Sequence, residues 1–411
     1  MGETGKGRQA TETIEVAGHI VDSLILAKIL DTILDAGCDY EIVEFTIGKT
    51  NVDSSRARIE VSGDDDVLGP LLDDLQIHGA NRSATSDAIL APAEADGVFP
   101  AGFYSTTNLA TDVRIDGEWL AVENPEMDCA LVVADGRART VPMHRVRGGD
   151  DVVVGSDGVR VHAPSHARDT QMFEFMASEV SSEKPKALLA AQVAERLRAA
   201  RERGGRVLVV AGPALVHTGG APDLARLVSE GWVDVLFAGN GFATHDIEAN
   251  VLGTSLGVSV AEGVPTEGGH ANHIRVINEV RRHGSIAAAV EAGFVSGGVM
   301  HACVRAGVPF VLGGSIRDDG PLPDVIPDTV AAADALREQI PGVEVALMLA
   351  STLHAIATGN CLPAWVETFC VDINQAVVTK LADRGSHQAL GIVTDVGPFV
   401  RQLADHLLGP S

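Results

Sequence analysis

The chain has 411 residues, 45% of them hydrophobic, and 31 Lys and Arg against 56 Asp and Glu give a net charge of −25. That length exceeds one ordinary core, so two or three domains are expected. The negative charge makes nucleic acid and membrane surfaces poor partners and favours a cationic substrate, although an Asp-rich, high-salt proteome would show the same excess. The five cysteines, Cys38, Cys129, Cys303, Cys361 and Cys370, form no CxxC pair, so neither a disulfide framework nor a zinc knuckle is signalled. Met1–Thr13 lacks the apolar stretch of a signal peptide, and no run approaches the roughly 18 apolar residues that span a bilayer. A cytoplasmic protein is expected.

Residues 12–97 read as a ferredoxin-like α+β module. Thr13–Ile20 is a β-like run, and Asp22–Ala36 carries apolar residues at helical spacing before the C-cap signal Gly37. Tyr40–Ile47 and Arg56–Val61 alternate as strands, and Asp65–Leu75 is a second helix. Arg82–Asp96, rich in Ala and Asp, reads as a linker. Residues 98–163 show short β-like runs punctuated at Asp116-Gly117, Asp135-Gly136, Gly148-Gly149 and Asp157-Gly158, which predicts a small β-rich domain. Charged helical sequence over 164–204 leads into the last domain, 185–411.

There, Arg206–Ala211, Val233–Ala238, Val308–Leu312, Val343–Met348, Phe369–Ile373 and Leu390–Thr394 are short β-branched runs between helical stretches, as buried parallel strands require. In such a sheet ligands bind beyond the carboxyl ends of the strands. The loops at those ends are rich in Gly and polar residues: Gly212–Gly220, Gly239–Asp246, Gly313–Gly320, Ala350–His354 and Asp372–Asn374. Their backbone N–H groups suit a pyrophosphate, and Asp372 suits ribose hydroxyls. No G-x-G-x-x-G fingerprint follows the first strand, so tightly packed Gly-rich turns are the plain alternative.

Polar residues crowd the run Gly268–Arg275. A metal set of His270 and His273 with His245 and Glu248 matches no zinc spacing, and helix capping with substrate contact is the more ordinary account. His301 and Cys303 lie in an apolar helical run, as core residues do. No base spacing supports a nucleophilic Cys303 or Cys361.

Several long runs resemble one family. VLFAGNGFATHDIE (Val235–Glu248), GGSIRDDGPLPDV (Gly313–Val325), STLHAIATGN (Ser351–Asn360) and VDINQAVVTKLADRGS (Val371–Ser386) are similar to the archaeal and cyanobacterial NAD-dependent ornithine cyclodeaminases, also known as the LOR/SDH bifunctional enzyme conserved domain family. GHIVDSLILAKILD (Gly18–Asp31), FYSTTN (Phe103–Asn108) and GEWLAVENPEMDCALVV (Gly117–Val133) extend the resemblance over about 12–408. It implies a Rossmann-like, deoxyhypusine-synthase-like C-terminal domain, NAD as cofactor, and L-ornithine converted to L-proline and ammonia. It also implies a homotetramer. Carried over, the NAD contacts are Asn240, Gly241, Asp319, Ser351, Thr352, Leu353, His354, Asp372, Asp395 and Val396; Gly241 and Ser351 replace other small residues.

For catalysis the expected groups are Asp246 or Glu248 on the δ-ammonium, His245 or His273 as acid/base, and Arg275 or Arg317 on the carboxylate. Asn108, Asn124, Glu126 and Asp128 are expected to close over the substrate. Other readings are a different NAD-dependent amino-acid dehydrogenase, deaminase or imine-transfer synthase, and a non-catalytic NAD or amino-acid sensor. A one-methylene change of substrate is worth only about 1–3 kcal/mol in a pocket, so lysine and 2,4-diaminobutyrate are alternative substrates.

Overall fold

The computed structural model describes residues 9–21, 25–49, 53–83, 86–162, 186–255, 258–259, 271–318, 320–377, 380 and 389–410. Two compact units make up the chain, one of residues 1–179 with 362–365, the other of 180–361 with 366–411.

The first unit begins with β1 (Gln9–Gly18), α1 (Ile25–Asp35), β2 (Asp39–Thr46), β3 (Ser55–Asp64), α2 (Asp65–Gln76) and β4 (Ala80–Arg82). Its antiparallel sheet has the order β2-β3-β1-β4, the ferredoxin-like arrangement. Alternate residues of β3 (Ser55, Ala57, Ile59, Val61, Gly63) turn inward, and Ile29 and Ile33 of α1 with Leu68, Leu71, Leu72 and Leu75 of α2 cover them. Asp64 caps α2 by accepting from Asp66 N–H.

A seven-stranded sheet follows: β5 (Ile89–Pro92), β6 (Thr111–Ile115), β7 (Glu118–Glu123), β8 (Ala130–Ala134), β9 (Arg137–Val141), β10 (Asp151–Val154) and β11 (Val159–Val161), in the order β11-β6-β7-β9-β8-β10-β5. The expected linker is therefore corrected: Ile89–Pro92 within it pairs antiparallel with β10. Its four residues are too few to show an alternation above the Ala-rich background. The β6–β7 and β8–β9 hairpins turn at Asp116-Gly117 and Asp135-Gly136, all four at positive φ, which matches a right-handed strand twist. Gln76 Nε2 and Asn81 Nδ2 donate to the carbonyls of Val159 and Val161, at 2.6 and 2.7 Å, joining this sheet to the first module.

The second unit contains α3 (Lys186–Glu202), β12 (Arg206–Ala211), α4 (Ala214–His217), α5 (Ala221–Ser229), β13 (Val235–Gly239), α6 (Asn240–Leu252), β14 (Thr254–Ser255), β15 (Val258–Ser259), α7 (Asn272–His283), α8 (Ile286–Glu291), α9 (Gly298–Ala306), β16 (Phe310–Gly313), β17 (Val325–Ile326), α10 (Thr329–Gln339), β18 (Val343–Leu349), α11 (Leu353–Cys361), β19 (Glu367–Asp372), β20 (Ala389–Val393) and α12 (Val396–Leu408). The main sheet is wholly parallel, in the order β17-β16-β13-β12-β18-β19-β20. Burial of both faces explains its composition: Val207 through Ala211 and Val345 through Leu349 are almost fully enclosed. The chain runs outward from β12 to β17, then returns to β18 on the other side of β12. That reversal is a topological switch point, the place beyond the carboxyl ends of the strands where parallel sheets of this kind bind their ligands.

Candidate functional site

At the switch point the two loops touch. A Cβ on Gly212 would lie 1.7 Å from the Ala350 carbonyl oxygen, so only glycine permits the approach. Ala350 itself is held at φ 48°, the only positive φ among the described residues that is not Gly, Asn or Asp. Such a conformation costs on the order of 1–3 kcal/mol and persists where packing imposes it, often at ligand sites. The neighbouring strand ends are also bare. Cβ atoms on Gly239 and Gly313 would fall 2.8 and 3.0 Å from the His354 ring, which lies across both. Burial lowers the His354 pKa, against an opposing hydrogen bond with the Gly313 backbone, so a neutral ring is favoured.

The same edge offers groups suited to a nucleotide. Helix α6 starts directly at the end of β13 with Gly239 as its N-cap and no side-chain cap, leaving first-turn N–H groups for an anion. Asp372 ends β19, mostly buried, with Oδ1 accepting from Asn374 N–H at 2.7 Å. Asp395 caps α12 through Gly397 N–H at 3.0 Å, and Val396 is buried behind it. The Asn240 side-chain oxygen is occupied by Leu322 N–H at 3.0 Å and by the Thr244 hydroxyl at 3.3 Å. Gly241 packs close to Pro213, and Ser351 is buried while Thr352 is exposed. The three most exposed large apolar residues described, Ile316, Leu353 and Ile373, all lie on these loops.

Beside these loops lies a histidine cluster built from α4, α6, β14 and α7. His245 and Glu248, three residues apart on α6, share a face. Glu248 is fully buried; its Oε2 lies 3.0 Å from His245 Nδ1, and its Oε1 accepts the Thr254 hydroxyl at 2.8 Å. Thr254 in turn accepts from Asn272 Nδ2 at 2.8 Å, and Arg275 donates to Asn272 Oδ1 at 3.0 Å. An ionised carboxylate is acceptor-only, so against ionised Glu248 His245 donates from Nδ1 and leaves Nε2 as its acceptor nitrogen. The His245 ring centroid is 6.5 Å from His273 and 5.1 Å from His217. His217 Nδ1 lies 2.7 Å from Ser255 Oγ. Burial, assisted by His245, lowers the His217 pKa, opposed more weakly by Glu248.

Not every residue picked from the sequence converges here. Asp246 is turned away: its two oxygens accept Val299 and Met300 N–H at 2.9 and 2.8 Å, capping the start of α9. Burial raises its pKa to about 6, and the same burial, with Asp246 beside it, raises the Cys303 thiol to about 12, as befits a core cysteine. Expected on an ammonium group, Asp246 is instead a buried cap. Arg275 is largely exposed at the far end of the cluster, and Arg317 is exposed on the loop after β16. Asp319 and His270 lie outside the described residues. Asn108 and Glu126 are buried within the first unit, where Thr106 Oγ1 donates to the Glu126 carbonyl at 2.6 Å. Asn124 and Asp128, in the same loop, adopt positive φ. Among the described residues, no group of three His, Cys, Asp or Glu side chains is placed to hold a metal ion, and no helix is long and apolar enough to cross a membrane.

His217, Thr254 and Ser255 were not singled out from the sequence. His217 belongs to a strand-end loop that was, and that position is the one signal that pointed to it.

Residues 191–403 match the family described as arginine dihydrolase ArgZ-like, C-terminal, Rossmann fold; residues 110–190 match its first C-terminal region, and 11–109 the LOR/SDH bifunctional enzyme conserved region. The chain is 52% identical to a Methanopyrus kandleri protein named ornithine cyclodeaminase, over 96% of this chain and 97% of that one. A crystal structure of apo ArgZ, an arginine dihydrolase from the cyanobacterial ornithine-ammonia cycle, superposes with a TM-score of 0.83 at 38% identity, covering 98% of this chain and 59% of that one. The ternary complex of AgrE with ornithine and NAD+ gives a TM-score of 0.53 at 42% identity, covering 98% and 58%. With a Rossmann-type parallel sheet, and with likeness to single-function relatives along nearly their whole length, the chain belongs to the ArgZ-like family that holds the archaeal ornithine cyclodeaminases.

Proposed function

We propose that this protein is an NAD-dependent ornithine cyclodeaminase, converting L-ornithine to L-proline and ammonia. The observation that carries the reading is the buried His245–Glu248 pair beside the closely packed glycine loops at the switch point of a parallel sheet. The close packing of Gly212 on Ala350 and of His354 across Gly239 and Gly313 fixes the loops at the carboxyl edge, where a parallel sheet of this order takes a dinucleotide. The names of its relatives and the ornithine and NAD+ of the AgrE complex supply the substrate and cofactor.

The NAD contacts are Asn240 and Gly241 at the start of α6, Ser351 to His354, Asp372 on the ribose, and Asp395 with Val396; Asp319 completes the set. NAD, when bound, would supply a hydride acceptor and then a hydride donor for the ornithine α-carbon, which would leave the reaction redox-neutral overall. His245 moves protons at Nε2, and Glu248 acts through it, holding the tautomer. His273 lines the same space. Arg275 or Arg317, each exposed, would have to swing in to pair with the substrate carboxylate, the guanidinium offering a bidentate fork. Exposed Ile316, Leu353 and Ile373 support a covering surface at the carboxyl edge, and the family resemblance implies assembly as a cytoplasmic homotetramer.

Purified protein incubated with ornithine and NAD should yield equimolar proline and ammonia without net absorbance at 340 nm. Accumulating NADH would instead make it a dehydrogenase. A sedimentation experiment reading a single protomer would remove the tetramer.

A further inference from the structure

We propose that His217 is the second proton carrier of this site, working beside His245; the proposal rests on the cyclodeaminase reading above. Ornithine arrives with both amines protonated. The α-ammonium must give up one proton before the Cα–H bond can release its electron pair as hydride. The δ-ammonium must give up another before its nitrogen can form the bond to Cα. When that bond has formed, a proton passes from the ring nitrogen to the exocyclic amine, its C–N bond breaks, and ammonia leaves. The two protons taken first are returned last, one to ammonia and one to the proline nitrogen. Two protons therefore leave the substrate before either is due back, and a single imidazole holds only one.

The structure supplies two imidazoles with different supports. His245 is backed by the buried Glu248 carboxylate at 3.0 Å. His217, on the loop leaving β12, is oriented by the Ser255 hydroxyl at 2.7 Å. Their ring centroids are 5.1 Å apart, edge-on, close enough to serve one substrate. Among the described residues, the groups facing His217 are His245 and Glu248 on α6 and Ser255 on β14, with His273 on α7 beyond His245. Desolvation keeps His217 in its neutral form near pH 7, ready to accept. Two titratable groups in distinct environments are how one site performs both acid and base steps.

The test is the pH dependence of proline formation by the full-length enzyme and by His217→Gln, His217→Ala and Ser255→Ala, with NAD affinity and single-turnover NADH absorbance read alongside. In His217→Gln, kcat should fall about 100- to 1,000-fold while the ornithine KM and the NAD affinity stay within about threefold. The acidic limb of the kcat profile should drop from a two-proton to a one-proton slope. Added imidazole should restore His217→Ala at least about tenfold, which a merely structural role would not allow. Ser255→Ala should lose about three- to tenfold in kcat and shift the acidic limb, and it decides the matter should the His217 variants not fold. An active wild type with His217→Gln within threefold of it, a loss confined to KM, or no response to imidazole overturns the proposal alone. A wild type that makes no proline overturns the reaction reading and this proposal with it.

Discussion

Replacing Glu248 with Gln separates the two roles a carboxylate on this face of α6 could play. Glu248 is fully buried and spends one oxygen on the Thr254 hydroxyl at 2.8 Å and the other on His245 Nδ1 at 3.0 Å. Glutamine keeps the shape but turns one oxygen into a donor. If that amide faces Thr254, whose oxygen already accepts from Asn272, the threonine proton loses its buried acceptor at about 1–3 kcal/mol. Facing His245, it costs little, because the imidazole can shift its proton to Nε2. The second arrangement wins, and it removes the base: Nε2 then carries a hydrogen and cannot accept one. We therefore expect kcat to fall about 10²- to 10⁴-fold with the melting temperature nearly unchanged and the ornithine KM within threefold, measured as proline formed at saturating NAD. Were Glu248 a partner of the δ-ammonium, the loss would appear mainly in KM. A kcat within threefold of wild type would refute the His245–Glu248 assignment.

Other perturbations test the carboxyl-edge loops and the core. Gly212→Ala forces a methyl against the Ala350 carbonyl oxygen, and the displaced loop should weaken NAD binding about 100-fold in a fluorescence titration; unchanged affinity would move the site elsewhere. Asp372→Asn should raise the NAD Kd about 10- to 100-fold, the worth of a charge-assisted hydrogen bond at about 1.5–3 kcal/mol. Asp246, with its folded pKa raised to about 6 from 3.8, binds its proton more tightly folded than unfolded. Its contribution is thus fully present below about pH 4 and lost as pH rises through 6, amounting to no more than about 3 kcal/mol. Urea midpoints at pH 5 and pH 7 should show Asp246→Asn missing that component, and an identical pH response in both proteins would contradict it.

The parallel sheet was legible because burial on both faces demands apolar runs, and Val207–Ala211 and Val345–Leu349 have no other plausible home. The strand-end loops followed from topology. The hairpins at Asp116-Gly117 and Asp135-Gly136 followed from turn chemistry. What stayed hidden depends on which way a side chain points. Asp246 and Glu248 look equivalent in sequence, yet two residues along a helix is roughly 200° of rotation, so they face opposite neighbours. One meets the N-terminus of α9 and is spent as a cap; the other meets β14 and the His245 ring. Glu248, three residues from His245, shares its face of the helix. Which of the two faces bordered the site could be known only once the α4 loop was placed beside α6, where Pro213 packs on Gly241 and His217 meets His245. The chemistry of this site is therefore decided less by which residues the loops contain than by the rotation of one helix against its neighbours.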